Sequence, residues 1–456
     1  MAHSPLAPVM VAILGAYTVV LVLGAGWLLR AWWSERRLAL LHAERIRARG
    51  QDEAPATLHP VIDPAICIGS GSCVDACPEQ HALVLVRGRA HLADAGGCVG
   101  HGACKDACPV GAITLVFGSA RRGVDIPELD HEFQTNVPGL YIAGELGGMG
   151  LVSNAVRQGV KVVDAIAAAL AASKREPGPG VASLLVVGAG PAGIGATLAA
   201  RAKGIDVRTI EQAPDIGGAV RSYTRQKVVM TQPVHLPLYG TVRLHRTNKQ
   251  ALIELWMDVL QRAGLTIEHG VRFEGALLED GVFVARTSKG EMRAHALLLA
   301  AGRRGSPRRL GVPGDDLPHV LAQLDDPEDH RGLSCVVAGG GDSAVEAALE
   351  LAEVPATKVS LVHRGADFDR ARPANRARLA AAEAAGALTV LRRAVVTRVH
   401  ADAVEIGCES GEPARTPADR VFALLGADAP LGLLQACGVQ VRTHYGDAAA
   451  SGDIGT

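Results

Sequence analysis

Short apolar runs that end in glycine recur along the second half of the chain. Residues 184–187 and Ser334–Ala338 are rich in Leu, Val and Ala, and a glycine-rich turn follows each of them. Runs of this length without polar alternation are typical of parallel strands covered on both faces. Helix and strand patterns follow the first turn at 196–202 and 205–210, and a strand pattern follows the second at 359–363. The pattern predicts an α/β fold built on parallel sheets.

A longer apolar run occupies the N-terminus. Residues 8–29 carry no charged side chain, and as a helix they would span ~33 Å, enough for a hydrocarbon core. Trp27, Trp32 and Trp33 mark its C-terminal end, and arginines follow at once, whereas no Lys or Arg precedes it. The positive-inside rule then predicts a transmembrane helix at 1–33, with the body on the cytoplasmic side of a bacterial inner membrane. A cleaved signal peptide and a buried soluble helix are the alternatives.

Composition narrows the class of protein. At 456 residues the chain has room for about three domains. A formal net charge of −1 argues against a general nucleic-acid binder. Of the nine cysteines, six fall between Cys67 and Cys108, so they form a local cluster and not a scattered disulfide framework. A charged linker helix is predicted at 34–57, between the apolar run and the cysteines.

The first glycine turn has the spacing of a dinucleotide site. Gly188, Gly190 and Gly193 form the pattern G-x-G-x-x-G. The first allows a tight turn, the second lets backbone approach a pyrophosphate, and the third lets helix pack on strand. The next strand ends at Glu211, about 20 residues on, where a carboxylate accepts hydrogen bonds from a ribose. A glycine turn in another kind of α/β domain is the alternative.

The second glycine turn differs at the end of its second strand. Gly339, Gly341 and Ala344 form the variant G-x-G-x-x-A. The following strand ends at Arg364, where the first site has a carboxylate. An arginine there suits the 2′-phosphate of NADP better than a bare ribose, although NAD or a simple solvated charge stays open. The two turns together predict two Rossmann-type dinucleotide-binding domains.

Two cysteine blocks form an internal repeat within residues 58–117. Both have the spacing C-x5-C-x3-C-P, with Cys67, Cys73 and Cys77 in the first and Cys98, Cys104 and Cys108 in the second. Each block closely resembles the run C-x2-C-x2-C-x3-C-P of bacterial two-cluster ferredoxins. The resemblance implies a small α+β ferredoxin-like domain at 58–117. Ser70 and His101 stand where that family has its second cysteine.

The ferredoxin resemblance also implies which cysteines act together. In that family the fourth cysteine of a run serves the other cluster. The implied iron–sulfur clusters are therefore held by Cys67, Cys73 and Cys108 and by Cys98, Cys104 and Cys77. Loss of the second ligand suits a three-iron cluster, or a four-iron cluster whose odd iron is bound by Ser70, His101 or solvent. A zinc site and a decayed module that binds no metal are the alternatives.

Residues 118–172 resemble the closing piece of thioredoxin-reductase-like flavoproteins. The resemblance rests on the pattern T-x-x-P-G-L-Y-x-A-G-E, which runs from Thr135 to Glu145. It implies that Gly144 and Glu145 lie against the flavin of FAD, although most family members carry Asp in place of this glutamate.

The order of these pieces departs from that family, in which the closing piece comes last. Here it precedes the first glycine turn. We therefore predict a circularly permuted FAD-binding domain made from 118–172, 181–312 and 419–456, with an NAD(P)-binding domain at 313–418. An unrelated βα unit at 118–172 is the alternative.

The inserted domain carries part of the family's basic NADP pattern. His363, Arg364 and Arg370 match it, whereas Gly365 replaces its second arginine. Thioredoxin reductases have a C-x-x-C pair in this domain, and this chain has none. Its cysteines outside the repeat stand alone, at Cys335, Cys408 and Cys437.

These motifs predict an FAD-dependent NAD(P)H oxidoreductase that contains iron–sulfur clusters. A flavin is needed because nicotinamide moves two electrons and each cluster moves one. No catalytic side chain is nominated, since the cofactors do the chemistry. The acceptor is predicted to be a redox partner protein or a quinone-like molecule. The alternative is a membrane-tethered redox sensor or an electron-transfer subunit without turnover. The sequence leaves open the direction of electron flow and the oligomeric state, a homodimer included.

Overall fold

The computed structural model of the chain describes residues 23–27, 30, 33, 58–79, 82–93, 98, 100, 102–119, 123–148, 151–173, 178–221, 228–230, 233–244, 246–303, 305, 308–371, 373–408, 411–426 and 430–448. Residues 23–27 are helical, whereas the rest of the predicted anchor, except 30 and 33, and the whole linker at 34–57 lie outside the described residues. Among the described residues, no helix has the length and apolar character needed to cross a membrane.

The described residues from 59 onward fall into two compact units, within His59–Val116 and within Phe117–Thr456. The first is a small α+β domain with the elements β1 (His59–Ile62), α1 (Ser72–Asp75), β2 (Leu83–Val86), β3 (Arg89–Leu92), α2 (Ala103–Asp106) and β4 (Ile113–Phe117). β1 and β4 pair antiparallel. β2 and β3 form a hairpin closed by Arg87 and Gly88, which both have positive φ, as a type I′ turn requires.

The repeat in the sequence is also a repeat in the structure. Gly71 and Gly102 adopt left-handed backbone, with φ of 80° and 85°, directly before α1 and α2. Glycine is the residue that takes this conformation without strain. Cys73 and Cys104 are the second residues of these one-turn helices, and both are buried. Each block therefore folds its middle cysteine inward by the same local geometry.

The second unit opens with the elements β5 (Val124–Pro127), β6 (Leu140–Ile142), α3 (Val152–Ser173), β7 (Val181–Val187), α4 (Pro191–Ala202), β8 (Val207–Glu211), β9 (Val228–Met230), β10 (Val234–Leu236), β11 (Gly240–Val242), β12 (Arg246–Asn248), α5 (Lys249–Arg262), β13 (Glu268–His269), β14 (Phe273–Glu279), β15 (Val282–Thr287) and β16 (Gly290–Leu299). Its main sheet has the order β13–β8–β7–β16–β15–β14, and β6 also pairs with β16. β6, β7, β8, β13 and β16 run parallel, and the apolar run at the end of β7 is typical of a strand covered on both faces.

The segment 118–172 is part of this first sheet and its core. Leu140, Tyr141 and Ile142 of β6 pair with residues 297–299 of β16. α3 packs against α4 through small residues, because a Cβ atom on Gly159 would overlap the carbonyl oxygen of Ala192. Side chains of β6 and α3 share one buried cluster with those of β7 and α4.

The remaining elements are β17 (Val320–Leu321), β18 (Ser334–Ala338), α6 (Asp342–Ala352), β19 (Lys358–His363), α7 (Pro373–Ala384), β20 (Thr389–Arg392), β21 (Ala394–Val399), β22 (Ala403–Cys408), β23 (Gly411–Pro417), β24 (Arg420–Ala423), α8 (Leu431–Ala436), β25 (Val441–His444) and β26 (Asp447–Ala448). Five of these strands form a second sheet in the order β17–β24–β18–β19–β20, all parallel. β21, β22 and β23 form a separate antiparallel sheet.

One predicted boundary is wrong. The return segment predicted at 419–456 includes β24, yet β24 lies in the second sheet between β17 and β18. The reason is its apolar run, since Val421 and Phe422 are fully buried there. The chain returns to the first core only afterwards, where Leu434 and Val439 pack beside Leu140. β25 then pairs antiparallel with β5.

Candidate functional site

The parallel strands of the first sheet end at one edge, and this edge carries the first glycine turn. β7 ends at Val187, β8 at Glu211 and β6 at Ile142. Ligands of open α/β sheets bind outside the carboxyl ends of such strands. The structure thus brings together three segments that the sequence separates widely: the turn at 188–193, the acid at 211 and the pair at 144–145.

Close packing explains the glycines of the first turn. A Cβ atom on Gly188, whose φ is 108°, would lie 2.5 Å from the carbonyl oxygen of Ala300. On Gly193 it would overlap the carbonyl oxygen of Gly188. Gly190 caps α4, and the nearest atom to a Cβ there is 3.8 Å away, on Gly218. The space beside Gly190, at the N-terminus of a long helix, therefore fits a pyrophosphate.

Glu211 is held in place by the turn itself. Its carboxylate accepts hydrogen bonds from the amides of Ala189 (2.7 Å) and Ala213 (2.9 Å), and the residue is buried. A buried carboxylate needs such partners. Both oxygens are thereby oriented at the edge where a ribose would lie.

Gly144 and Glu145 reach the same edge from the segment 118–172. Gly144 has φ of 83°, and a Cβ atom there would lie 3.0 Å from the Cβ of Ala192, in the first turn of α4. Its amide donates to the side-chain oxygen of Gln158 (2.8 Å), which belongs to α3. Glu145 is half-buried and begins a 3-10 turn, Glu145–Gly147. The pair thus lies beside the first glycine turn.

Sequence reasoning missed a second glycine pair at this edge. Gly217 has φ of 115° and donates its amide to the carbonyl oxygen of Ala189 (2.9 Å). A Cβ atom on Gly218 would lie 3.0 Å from the Cα of Gly190. The signal was present, because adjacent glycines soon after a ribose-binding acid mark a backbone that approaches the phosphate turn closely.

The second glycine turn is equally tight. A Cβ atom on Gly339 would overlap the carbonyl oxygen of Leu424 and would lie 2.7 Å from the Cβ of Ala344. Ala344 is fully buried, so alanine suffices at the third position. Among the described residues, no atom lies within 4 Å of a Cβ on Gly341, which caps α6. The open face at this helix N-terminus fits a second pyrophosphate.

The basic residues lie in the loop after β19. The ring of His363 packs on Gly340, stacks at 4.7 Å on Phe368 and places Nε2 3.0 Å from the carbonyl oxygen of Asp367. Arg364 and Arg370 are exposed, and neither forms an ion pair with another described residue. Two free guanidinium groups are thus available to an anion beside the second turn.

The six cysteines of the repeat separate into two groups. Cys67, Cys73 and Cys108, the first thiol site, line one cavity together with Ser70. Cys77, Cys98 and Cys104, the second thiol site, line another. Cys77 and Cys108 thus cross over between blocks, which is the grouping that the ferredoxin resemblance implied. His101 lies outside the described residues.

Burial raises the pKa of several of these thiols. For Cys104 it raises the pKa to about 12, and negative charge on Cys98 and Cys77 adds to the effect. Burial also raises the pKa of Cys73 and of Cys77. Such thiols become thiolates when a cation binds among them, which suits an iron–sulfur cluster. Among the described residues, no group of Cys, His, Asp and Glu side chains is arranged to hold a single metal ion.

The isolated cysteines lie on separate elements. Cys335 is buried in β18, Cys437 is buried after α8, and Cys408 is exposed at the end of β22. All three are free thiols. They do not form a redox-active pair.

Two dinucleotide turns and a ferredoxin-type module define an FAD-dependent NAD(P)H oxidoreductase with a 4Fe-4S domain. Residues 185–449, more than half of the chain, match the pyridine nucleotide-disulphide oxidoreductase family, and the chain belongs to that family. Residues 59–109 match the 4Fe-4S dicluster domain.

Known proteins are similar to more than half of this chain. Ferredoxin–NADP reductase of Nocardioides sp. is 31% identical over 291 residues, which cover 59% of this chain and 84% of the relative. The enzyme of the same name from Ignicoccus hospitalis is 30% identical over 261 residues, covering 57% and 81%. Among solved structures, bacillithiol disulfide reductase from Bacillus cereus matches 57% of this chain and 82% of its own, at 21% identity and a TM-score of 0.48.

Proposed function

We propose that this protein transfers electrons between NADPH and a ferredoxin-type carrier. The observation that supports this most is that one chain joins two dinucleotide turns to two groups of three thiols. When bound, FAD would link the two-electron chemistry of nicotinamide to the one-electron chemistry of iron–sulfur clusters. The relatives named ferredoxin–NADP reductase suggest the class of carrier.

In this proposal the first turn holds FAD. The amide of Ala189 orients the Glu211 carboxylate toward the ribose, and the open space beside Gly190 takes the pyrophosphate. Gly144 and Glu145 would lie along the flavin half, since they border the same turn. None of these groups must gain or lose a proton, so their role is to bind and orient.

The second turn would hold NADPH in preference to NADH. The end of β19 presents His363 and Arg364, with Arg370 in the same loop, and the strand ends without a carboxylate. A carboxylate at this place would repel a 2′-phosphate, whereas guanidinium groups bind it in a fork.

The two thiol sites would each hold an iron–sulfur cluster, of the three-iron or the four-iron type. Ser70 borders the first cavity but would have to lose its proton to bind iron well. His101 is the candidate fourth ligand of the second site, because a neutral imidazole binds metal near pH 7.

We also propose that residues 8–29 anchor the protein to the bacterial inner membrane, with the two units in the cytoplasm. The support is the uncharged run and the arginines that follow it. Fractionation tests it: the full chain should sediment with membranes, and deletion of residues 1–33 should release it. Soluble full-length chain, or cleavage near residue 30, would contradict the anchor.

The main test is anaerobic purification in detergent, with visible and EPR spectra recorded before and after NADPH. We expect NADPH to bleach flavin absorbance and to change the EPR signals of the iron–sulfur module. A bacterial two-cluster ferredoxin should then be reduced when added in excess. Bound FAD that NADPH does not reduce would contradict the proposal and would favour a redox sensor. Equal use of NADH would contradict only the choice of NADPH.

A further inference from the structure

The second sheet places three strand ends side by side. β18, β19 and β20 are parallel neighbours, with His363 of β19 opposite Arg392 of β20. The glycine turn follows β18, and the basic loop follows β19. In this type of fold the ribose of the adenosine half lies at the end of the second strand. The end of the third strand, at Arg392 and Arg393, therefore borders the same part of the nucleotide.

The loop after β19 has lost one guanidinium for a structural reason. Gly365 stands where the related flavoproteins have their second arginine. A Cβ atom at this position would lie 2.7 Å from Nε2 of His363, whose ring fills the space between Gly340 and Gly365. An arginine at position 365 is thus incompatible with this placement of His363.

Arg393 lies next to position 365, where glycine has no side chain. Its amide donates a hydrogen bond of 3.0 Å to the carbonyl oxygen of Gly365, so the two backbones are in contact. Its φ is 49°, a left-handed conformation that is uncommon for a residue with a side chain. Residues held in such conformations cluster at ligand-binding sites. A long side chain that starts here can reach the place an arginine at 365 would occupy.

The arginines of this region fall into two classes. Ion pairs engage three of them: Arg376 with Asp369 (4.0 Å), Arg378 with Glu353 (3.4 Å) and Arg392 with Glu383 (2.6 Å). Arg392 also lies over the ring of Phe368. Within the described part of the chain, no ion pair involves three others, namely Arg364, Arg370 and Arg393.

The nearby carboxylates also have other partners. Asp342 and Glu346, in the first turns of α6, accept hydrogen bonds from the Asn375 side chain at 2.8 and 3.0 Å. Asp367 contributes to the raised pKa of Arg392, after the larger effect of the Glu383 hydrogen bond. Within the described residues, none of these carboxylates pairs with Arg364, Arg370 or Arg393, so an external anion can be the partner of these three guanidinium groups.

We propose that Arg393 is a specificity-determining residue that binds the 2′-phosphate of NADP together with Arg364. It replaces the arginine that His363 excludes from position 365. Two guanidinium groups from different strands hold a phosphate from two sides, each with paired N–H donors. This inference rests on the proposed preference for NADPH and adds a residue that the sequence motif does not contain.

Titration calorimetry on the full-length protein tests it without turnover. The probes are 2′,5′-ADP, which carries the 2′-phosphate, and 5′-AMP, which lacks it. Arg393→Gln should weaken binding of 2′,5′-ADP about tenfold or more, because a hydrogen bond to a charged group is lost, and should leave 5′-AMP nearly unchanged. Arg393→Lys should bind 2′,5′-ADP with an affinity between those of the wild type and Arg393→Gln, since lysine keeps the positive charge but loses the paired N–H donors of arginine.

Arg378→Gln is the matched control, because it removes an exposed arginine that already has a carboxylate partner. Bound-flavin absorbance and thermal melting show whether each variant is folded. If Arg393→Gln does not fold, the affinity of Arg393→Lys for 2′,5′-ADP is the test of the inference. Wild-type affinity of the folded position-393 variants for 2′,5′-ADP, or an equal loss in the control, would overturn the inference and leave the NADPH preference standing. A wild-type protein that does not distinguish the two probes would overturn both.

Discussion

The two thiol sites are built from one repeated block, yet their surroundings differ. At the first site the rim is open: Ile68 is 66% exposed and Val110 is 39% exposed. The hairpin of β2 and β3 lies against the loop of this site, since a Cβ atom on Gly69 would overlap the carbonyl oxygen of Gly88. Arg89 also donates a hydrogen bond to the carbonyl oxygen of Cys67 (3.1 Å).

Buried apolar residues line the second site, Leu83 and Leu115 among them. Burial raises the pKa of Cys104 to about 12 there. Exposure, hydrogen bonds and nearby charge all set the potential of an iron–sulfur cluster. Two blocks with the same cysteine spacing therefore do not make equal clusters, and a cluster at the first site should have the higher reduction potential.

The largest expected effect separates the two sites. Cys104→Ala should remove the iron of the second site and keep that of the first, so that about half of the iron and sulfide remains. Cys73→Ala should do the reverse, because each cavity has three thiols of its own. Iron and sulfide analysis with EPR measures this. Cys335→Ala, which removes a buried thiol on β18, is the control and should lose none. Loss of all iron in either site variant would show that the sites load together.

Much of this architecture follows from local patterns. β18 has the bounds that its apolar run predicts, and β7 and β19 begin slightly earlier than predicted. β7 and β18 are each followed by a glycine, Gly188 and Gly339, whose positive φ and close neighbours only glycine tolerates. These patterns involve residues that are close together along the chain, so a single sequence is enough to predict the strands and turns from them.

The remainder depends on partners far along the chain. The run of β24 is apolar enough for either sheet, and only its pairing with β18 decides between them. The role of Ala189 as a donor to Glu211, and the contact of Arg393 with Gly365, involve backbone amides that no motif marks. The structure shows these contacts because it fixes which strand ends lie together.

The contact of the first site with the hairpin gives the next prediction. Gly69→Ala forces a Cβ atom into Gly88 and holds alanine at φ +72°, which by itself costs about 1–2 kcal/mol. The loop or the hairpin must move, so the first site should lose iron while the second keeps it. Gly111→Ala is the matched control, because φ is +65° and no atom of the residues that the structure describes lies within 4 Å of a Cβ there. Equal iron content in the two variants would show that the contact does not support the site.

A smaller effect tests the missing ligand of the first site. Ser70→Cys should supply a fourth thiolate, raise the iron content by about one atom and shift the EPR signal toward the four-iron form. Ser72→Cys is the control: Ser72 lies 3.3 Å from Ser70 between their hydroxyl oxygens but does not line the cavity. An EPR spectrum that Ser70→Cys leaves unchanged would mean that another group already fills this position.

The smallest expected effect isolates the cation beside the first site. Arg89→Gln removes a positive charge near Cys67 while an amide can still donate to its carbonyl oxygen. A reduced cluster carries more negative charge, so this variant should lower the potential of the first-site cluster and leave the second unchanged. Redox titration with dithionite, followed by EPR, measures both without NADPH. Arg87→Gln removes an equally exposed charge from the same hairpin without this hydrogen bond and should shift the potential less. Equal shifts in the two variants would assign the effect to the net charge of the hairpin and not to the contact with Cys67.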